Sequence, residues 1–446
     1  MKRRGWAVLL AAALLLGTAG CGASQGDPAV SAQTGSESTQ TGSESTQTGA
    51  ESTLTGAENA QTGAANTMAG ADALALPTSY LTPEEYAKAD LWDSGNDARV
   101  AKVMRKAESG EAVTIACIGG SITEGVISSG SLDGELGDRL CYADRFFGWW
   151  SERFPETEFD FINAGIGGTD SYLGVHRAKR DVLSKHPDLV LVEYAVNDGG
   201  DNAHKRSYEN LVRNLLQAEG EPAVMLLFMG QTNGINAQTN QVLIGHRYEV
   251  PMLSYANVIA EQMSSGRFTE KQLAGDGVHP SVLGHAITGE ILWTYLNDVY
   301  AWKDSFGEPG TELPEPITTE DYAQADLLDS LDLEPDDPGD FVPDSSSSYF
   351  PNGWKCDGGE KGIVFTAEFA HLGILYLGMA TGGVYDVYVD GELVRTLNAY
   401  NSTKGWSPIL GTEVYRSDAP AVHTVEIRKN TESEGQLFKL LGLLVS

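Results

Sequence analysis

Short, continuously apolar runs that alternate with helix-like segments constrain the fold of this chain more than any other feature. Five such runs read VTIACIG (113–119), FDFINAG (159–165), LVLVEYAV (189–196), AVMLLFMG (223–230) and PMLSYANV (251–258). Runs of this kind are typical of strands that are buried on both faces. The residues between them fit helices, most clearly at 141–154, 176–185 and 208–218. This alternation predicts a three-layer α/β/α domain over residues 79–306, with a parallel sheet and a ligand site at the carboxyl ends of its strands.

The pattern changes in the C-terminal part of the chain, where short alternating strands replace the strand and helix repeat. Runs such as GIVFTAEF (362–369) alternate apolar and polar residues, and Asp390-Gly391 is typical of a tight hairpin. Residues 345–446 are therefore expected to form a β-sandwich of jelly-roll type. The acidic, proline-rich stretch 307–344 is expected to be a linker between the two folded parts.

One thirteen-residue segment occurs twice, as TPEEYAKADLWDS (82–94) and TTEDYAQADLLDS (318–330), with 9 of 13 positions identical. Each copy is predicted to be a helix, with Thr82 or Thr318 at its N-cap and acidic residues in the first turn. A duplicated docking or linker helix and a binding role are both open interpretations of the pair.

The first residues have the layout of a secretory signal peptide, because basic residues at 2–4 precede an apolar run at 6–16 and small residues then lead to Cys21. A Cys directly after small residues resembles the bacterial lipoprotein signal. Residues 1–20 are therefore expected to be removed and Cys21 to carry lipid. The expected product is an exported lipoprotein, anchored on the outer face of a bacterial membrane. Ordinary cleavage further along the chain is the alternative.

A seven-residue repeat of the type QTGSEST follows from residue 33 to residue 67. It has no apolar heptad positions and a Gly in every copy, so a coiled coil is excluded. Residues 21–78 are instead expected to be a disordered tether rich in Ser, Thr and Gly.

The charge balance limits the possible partners. The chain has 62 Asp and Glu against 30 Lys and Arg, a formal net charge of −32. A polyphosphate needs a basic surface, so nucleic acid is excluded as a partner. The apolar run at 6–16 is far shorter than the ~20 residues that a membrane-spanning helix needs. Contact with a membrane is therefore expected only through the lipid anchor.

Three cysteines remain after Cys21, namely Cys117, Cys141 and Cys356. An odd number of well-separated cysteines excludes a complete disulfide framework. The sequence has no CxxC pair, so neither zinc nor redox chemistry is indicated. Cys117 lies inside an apolar run and is expected to be a small buried hydrophobe.

Polar residues that could react follow the predicted strands. Ser121 comes after the first strand in IACIGGSITEG (115–125), at a glycine turn where its hydroxyl and nearby backbone N–H groups would lie at the sheet edge. Such turns are common, so a purely structural turn is an open alternative. Gly168 lies in NAGIGGTDS (163–171), where glycines let backbone amides approach a ligand closely. The spacing lacks GxGxxG, which argues against a dinucleotide loop.

Two further blocks complete this set. AVND (195–198) closes the third apolar run and could direct the amide of Asn197 across the strand ends toward Ser121. DGVHP (276–280) places Asp276 three residues before His279. That spacing lets one loop hold both a general base and the carboxylate that fixes its tautomer.

These four blocks, in this order and each after a strand, resemble the SGNH hydrolase (GDSL esterase) superfamily over about residues 110–300. The resemblance implies a flavodoxin-like fold and acyl transfer through an acyl-enzyme. It implies that Ser121 is the nucleophile, that His279 is the general base and that Asp276 orients the histidine. The resemblance implies no metal and no cofactor.

The same resemblance implies an oxyanion hole. Its donors would be the backbone amides of Ser121 and Gly168 and the side chain of Asn197. Two positions depart from the superfamily pattern: Gly120 stands in place of the usual Asp of the GDS block, and Ala195 in place of the first Gly of GxND. Neither departure removes a reacting group.

Five other residues are weaker candidates. Arg177 and Glu193 lie near the predicted site in sequence, although a structural ion pair would explain both. Trp354, Tyr400 and Trp406 could stack on sugar rings, although core or interface packing would explain these aromatic residues as well.

Taken together, these features predict a surface-tethered serine esterase that removes small acyl groups, above all acetyl, from a glycan. The expected partner is an acylated carbohydrate. A lipase or thioesterase and an O-acetyltransferase of the same fold are alternatives, as is a non-catalytic glycan-binding lipoprotein.

Overall fold

The computed structural model describes residues 79–91, 96–129, 140–403 and 405–446. The predicted signal peptide, the lipidation residue Cys21 and the predicted tether lie outside the described residues. The first sheet contains strands β1 (Val113–Gly119), β2 (Phe159–Gly165), β3 (Leu189–Glu193), β4 (Ala223–Phe228) and β5 (Met252–Ser254).

All pairs in this sheet are parallel, and the strand order is β2-β1-β3-β4-β5. This is the flavodoxin-like order, in which the chain reverses its direction of travel across the sheet between β1 and β3. The predicted α/β class is therefore confirmed. The carboxyl ends of β1 and β3 lie side by side at the switch point, and the loops after them carry Ser121 and Asn197.

Helices cover both faces of the parallel sheet. The helices of the described residues are α1 (Pro83–Ala89), α2 (Ala98–Glu108), α3 (Ser121–Glu124), α4 (Tyr142–Arg153), α5 (Ser171–Asp181), α6 (Asn202–Leu216), α7 (Gln238–Arg247), α8 (Tyr255–Ser264), α9 (Glu270–Leu273) and α10 (Val282–Trp302). One core cluster joins α2, α4, α8 and α10 to one face, and a second joins α5, α6 and α7 to the other. None of these described helices is long and apolar enough to span a bilayer.

Capping side chains explain where two elements differ from the sequence prediction. The run 251–258 is strand only at β5, because Ser254 Oγ accepts the N–H of Asn257 at 3.0 Å and starts α8. Helix α6 begins at Asn202, earlier than the predicted 208, since Asp201 accepts the N–H groups of Ala203 and His204. Side-chain caps of this kind satisfy amides that a helix leaves unpaired.

The second sheet is antiparallel. Its strands are β6 (Asp326–Leu328), β7 (Val342–Asp344), β8 (Gly353–Asp357), β9 (Ile363–Leu377), β10 (Val384–Val389), β11 (Glu392–Asn398), β12 (Ile409–Lys429) and β13 (Leu437–Val445). The order is β11-β10-β12-β9-β13-β8-β7, with β6 paired to β13. The predicted hairpin at Asp390-Gly391 joins β10 to β11, with positive φ at both residues. The predicted run 362–369 is part of a longer strand, β9, which continues to Leu377.

Residues 307–344 differ from the expected linker. They contribute β6 and β7 to the second sheet, and Tyr322 and Ala325 pack into a core cluster of the α/β region. Glu209 of α6 accepts the N–H groups of Ile317 and Thr318, each at 2.6 Å. The second folded part therefore begins before residue 345.

The two copies of the repeated segment adopt different structures. Thr82 caps α1 with a complete capping box, as the sequence predicts. The prediction of a helix at Thr318 is wrong, because the Thr318 hydroxyl donates to Glu209 at 2.5 Å and the segment continues as turns and then as β6. The Asp-Leu pairs of both copies nevertheless form antiparallel contacts with a strand of a sheet. Asp90 forms a bridge with Leu253 of β5, and β6 pairs with β13.

Candidate active site

The turn after β1 places Ser121 at the carboxyl edge of the parallel sheet. Ser121 is the first residue of α3 and is half-buried. Hydrogen bonds from buried groups fix the residues on both sides of Ser121. Arg177 Nη2 donates to the Gly119 carbonyl at 3.0 Å, and Thr123 Oγ1 donates to Glu193 Oε2 at 3.0 Å. A turn that is fixed on both sides gives its serine hydroxyl a defined position.

His279 reaches this hydroxyl from the loop between α9 and α10. Its Nε2 lies 2.8 Å from Ser121 Oγ, and its Nδ1 lies 2.8 Å from Asp276 Oδ2. Asp276 Oδ1 also accepts the N–H groups of Val278 and His279, at 2.9 and 2.8 Å. Ser128, which follows α3, connects this loop to the Ser121 segment, because its hydroxyl donates to the His279 carbonyl at 2.5 Å. The structure thus brings three sequence-predicted residues into one hydrogen-bonded row.

The charge of Asp276 suits this arrangement. Burial alone would raise its pKa, but the hydrogen bonds from the His279 ring and from the amides of Val278 and His279 together hold the pKa of this carboxyl below its ordinary value. An ionised carboxylate accepts a hydrogen bond from His279 Nδ1–H, which keeps the proton of the neutral imidazole on Nδ1 and leaves Nε2 unprotonated. In that tautomer Nε2 can accept a hydrogen bond from the Ser121 hydroxyl.

The other two predicted residues, Gly168 and Asn197, lie close to the Ser121 turn. Gly168 has a φ of +72°, which favours glycine, and Gly167 is close enough that a Cβ there would lie 3.8 Å from Ser121 Cβ. The side chain of Asn197 lies directly against Gly120. Within the described part of the chain, the amides of Ser121 and Gly168 donate no backbone hydrogen bond.

Comparisons with known proteins agree with this geometry. Residues 117–287 match the model of the GDSL-like lipase/acylhydrolase family. The crystal structure of a two-domain esterase (CEX) active on acetylated mannans is 30% identical and covers 81% of this chain and 98% of that one, with a TM-score of 0.72. The same esterase co-crystallised with mannopentaose is also 30% identical, covers 81% and 97% of the two chains, and has a TM-score of 0.71. None of the curated proteins matches the chain.

This chain belongs to the GDSL-like lipase/acylhydrolase family. It is therefore an enzyme that hydrolyses ester bonds. The similarity to the two-domain esterase extends over both sheets, so the C-terminal antiparallel sheet is part of the shared architecture.

The structure explains one departure from the family pattern. A Cβ at Gly120 would collide with Asn197 Oδ1, so only glycine fits at this position while Asn197 keeps its place. The other departure, Ala195, is fully buried, and its carbonyl accepts the N–H of Ala237 at 2.7 Å.

Arg177 and Glu193 do not pair with each other. Arg177 is fully buried and donates to Asp181, Tyr194 and the Gly119 carbonyl. Glu193 is fully buried as well, and burial raises its pKa to about 8, against the opposing hydrogen bond from Thr123. Its Oε1 has no hydrogen-bond partner among the described residues. Both residues therefore support the Ser121 turn, a role that their spacing in sequence did not reveal.

The C-terminal sheet reaches the same site through residues that sequence reasoning missed or left open. A Cβ on Gly168 would lie 3.1 Å from the ring of Trp406, which is 51% exposed. Tyr349 donates its hydroxyl to Glu124, which belongs to the same short helix as Ser121. No local pattern marks Tyr349, because its contact depends on how the two sheets pack. Of the other aromatic candidates, Tyr400 is exposed whereas Trp354 is buried in the core.

A metal centre has no support in the described residues, where no group of three or more His, Cys, Asp or Glu side chains could hold an ion. Cys117, Cys141 and Cys356 are free thiols and buried, and the burial expected of Cys117 is confirmed.

Proposed function

We propose that the enzyme removes acetyl groups from a glycan through a Ser121–His279–Asp276 triad. The observation that carries this proposal is the row of two 2.8 Å hydrogen bonds from Ser121 Oγ to His279 and from His279 to Asp276. The row ends at the switch point of the parallel sheet, where α/β folds bind their ligands.

In the proposed mechanism, His279 Nε2 accepts the proton of the Ser121 hydroxyl while Oγ attacks the ester carbonyl. The tetrahedral oxyanion then lies between the amides of Ser121 and Gly168 and the side-chain NH₂ of Asn197. Protonated His279 passes its proton to the leaving sugar oxygen, which leaves an acetyl-enzyme. Water, deprotonated by His279, attacks this ester and releases acetate with Ser121 restored.

A carbohydrate substrate is supported by two observations. The relative that is 30% identical over both sheets is described as active on acetylated mannans. In this chain the ring of Trp406 is half exposed beside Gly168, and an exposed indole face can stack on a sugar ring. The acetyl ester would then be held at Ser121 while the sugar lies toward Trp406.

The setting of the enzyme is a second part of the proposal. The signal-like segment 1–20 and the small residues before Cys21 support a lipid anchor, and the repeat at 33–67 supports a long tether. The full chain should then partition with membranes and resist extraction by high salt, whereas Cys21→Ala should release it. An unchanged distribution of Cys21→Ala would contradict the anchor without bearing on the chemistry.

The catalytic proposal is tested with residues 79–446 on an aryl acetate and on acetylated mannan. The wild type should release acetate from both, while Ser121→Ala and His279→Ala should each lose at least about 10³-fold in kcat. His246→Ala, which changes a histidine outside the site, is the matched control and should retain activity. Failure of the wild type on every short acyl ester would overturn the esterase proposal. Transfer of acetyl to an added sugar in preference to water would favour a transferase.

A further inference from the structure

Asp198 connects the two loops that carry the proposed side-chain and backbone oxyanion donors. It follows Asn197 directly, and only 8% of the residue is exposed. Its Oδ1 accepts the N–H of Ser171 at 2.8 Å, and its Oδ2 accepts Nε2 of Gln241 at 2.9 Å. Its own N–H donates to the Tyr194 carbonyl at 2.9 Å. One carboxyl group thus joins the end of β3 to the first residue of α5 and to α7.

Ser171 is the relevant partner, because it lies three residues after Gly168 at the end of the same loop. The hydrogen bond between Ser171 and Asp198 therefore spans from the Gly168 loop to the Asn197 loop. Asn197 has little other polar support, since its Oδ1 is buried and has no hydrogen-bond partner among the described residues. The position of its NH₂ group thus depends on packing against Gly120 and on how the backbone of Asn197 and Asp198 is held.

We propose that Asp198 is a positioning residue that fixes the separation of the Gly168 amide and the Asn197 amide. The inference rests on the proposed function, because it assigns to Asp198 the geometry of that oxyanion hole. Asp198 itself touches neither the substrate nor the Ser121 hydroxyl in this mechanism. Oxyanion donors act through their preorganised position, so a small displacement lowers the rate of the chemical step.

Asp198 is buried, so its carboxyl group depends on the hydrogen bonds that it accepts. Burial raises its pKa to about 7, while the Ser171 hydrogen bond opposes this shift; nearby Asp170 raises the pKa and His204 lowers it. A carboxyl group in such surroundings is costly unless its oxygens are satisfied. Gln241 Oε1 is also buried and has no hydrogen-bond partner in the described structure. A rotation of the Gln241 amide that exchanges Oε1 and Nε2 therefore breaks only the hydrogen bond to Asp198.

Two substitutions of Asp198 separate geometry from charge. Asp198→Ala removes both acceptors and should lower kcat on an aryl acetate about 10- to 100-fold with KM unchanged. Asp198→Asn keeps one oxygen for the Ser171 N–H, and its new NH₂ can donate to a turned Gln241. This variant should therefore recover most of the lost kcat. Asp201→Ala removes the nearby acidic N-cap of α6 and is the control for a general loss of stability, so its kcat should stay near the wild-type value.

A backbone substitution tests the same bond if Asp198→Ala does not fold. Ser171 is the first residue of α5, and Asp170 before it has extended backbone, so proline is sterically suited to this position. Ser171→Pro deletes the N–H that Asp198 accepts, whereas Ser171→Ala deletes only the hydroxyl. We expect kcat to fall about tenfold further in Ser171→Pro than in Ser171→Ala.

The decisive measurement is a double-mutant cycle with Asn197→Ala. If Asp198 acts through Asn197, Asp198→Ala should cause a much smaller further loss of kcat in the Asn197→Ala background than in the wild type. Equal losses in both backgrounds, a wild-type kcat in Asp198→Ala, or no recovery in Asp198→Asn would each overturn the inference. An inactive wild type would instead overturn the proposed function, which keeps the two failures distinct.

Discussion

The two sheets of this enzyme meet at the Gly168 loop but contribute different kinds of side chain to it. The parallel sheet directs polar residues to its carboxyl edge, with Ser121 after β1 and Asn197 after β3. The antiparallel sheet brings apolar residues, because Leu375, Leu441 and Leu444 form a core cluster with Ile166 and Leu173 on either side of Gly168. A loop that presents a backbone amide thus rests on a packed apolar surface supplied by the second sheet. This contact identifies the C-terminal sheet as part of the scaffold of the site.

One buried carboxyl group from each region shows how its partners set its pKa. In the parallel region Glu193 has no cationic partner in the described structure, and burial raises its pKa to about 8. In the antiparallel region burial acts the same way on Asp344, but Ser346 and the cations Lys439 and Lys355 outweigh it and lower the pKa of Asp344. The comparison shows that hydrogen bonds and nearby cations can outweigh the effect of burial and reverse the sign of the pKa shift.

The largest effect is expected at the apolar contact between the sheets. Leu444→Ala leaves a cavity beneath Ile166 and Leu173, and truncation of a fully buried leucine costs about 2 to 5 kcal/mol. Because the cavity adjoins both regions, esterase activity and structure should be lost together in one denaturant transition, at a lower midpoint than in the wild type. Tryptophan fluorescence measures the loss of structure, and residual aryl acetate hydrolysis measures the loss of activity.

Leu393→Ala provides the control for that experiment. Leu393 lies on β11, is more than half exposed and does not belong to the junction cluster, so its truncation should change stability by less than about 0.5 kcal/mol. Two separate transitions in Leu444→Ala, with activity surviving the first, would show that the parallel region is independent of the second sheet.

The next effect concerns the buried acid under the nucleophile turn. Folded Glu193 keeps its proton up to about pH 8, whereas the carboxyl of the unfolded chain ionises near its ordinary value of 4.5. Raising the pH between these values therefore favours unfolding of the wild type. Glu193→Gln imitates the protonated acid and removes this dependence. Its stability advantage over the wild type should grow from pH 5 to pH 8 by up to about 1.4 kcal/mol per pH unit.

Asp344→Asn is the matched control from the other sheet. The pKa of Asp344 is lowered, so its charge contributes stability at every pH above the unfolded value of 3.8, and that contribution is lost only below it. Asp344→Asn should therefore be less stable than the wild type by a constant amount between pH 5 and pH 8. Urea unfolding across that range separates the two slopes. Parallel curves for Glu193→Gln and the wild type would contradict the assignment of a neutral Glu193.

Local sequence patterns were sufficient for most of the parallel region. The runs that predicted β1 and β2 coincide with those strands residue for residue. β1 is buried on both faces, as its continuous apolar sequence predicts. The same expectation is wrong for β2, which is the edge strand of the sheet and only partly buried. Ser121 was predicted from a block that directly follows a strand. Asp276 and His279 do not follow a strand but lie between α9 and α10, and they were predicted from their spacing of three residues and from the family resemblance. Their catalytic roles remain predictions until the variants are measured.

Contacts between distant elements could not be predicted in this way. The repeated segment shows the reason, because nearly identical residues form helix α1 at Thr82 but turns and strand β6 after Thr318. A carboxylate from α6, Glu209, accepts the Thr318 hydroxyl and takes it away from the cap position. The ring of Trp406 and the hydroxyl of Tyr349 reach the site only because the sheets pack together, and no spacing in the sequence encodes that approach.

The smallest effect should distinguish the two regions by substrate size. Trp406→Ala removes the aromatic ring beside Gly168 but no reacting group, so kcat on an aryl acetate should remain near the wild-type value. On acetylated mannan, loss of a stacking surface worth about 0.5 to 1.5 kcal/mol should raise KM roughly 2- to 12-fold. Trp302 is a comparably exposed tryptophan of the parallel region, and Trp302→Ala should leave KM unchanged on both the aryl acetate and acetylated mannan. Equal KM increases on the small and polymeric esters would mean that Trp406 shapes the acyl site and does not hold the sugar chain.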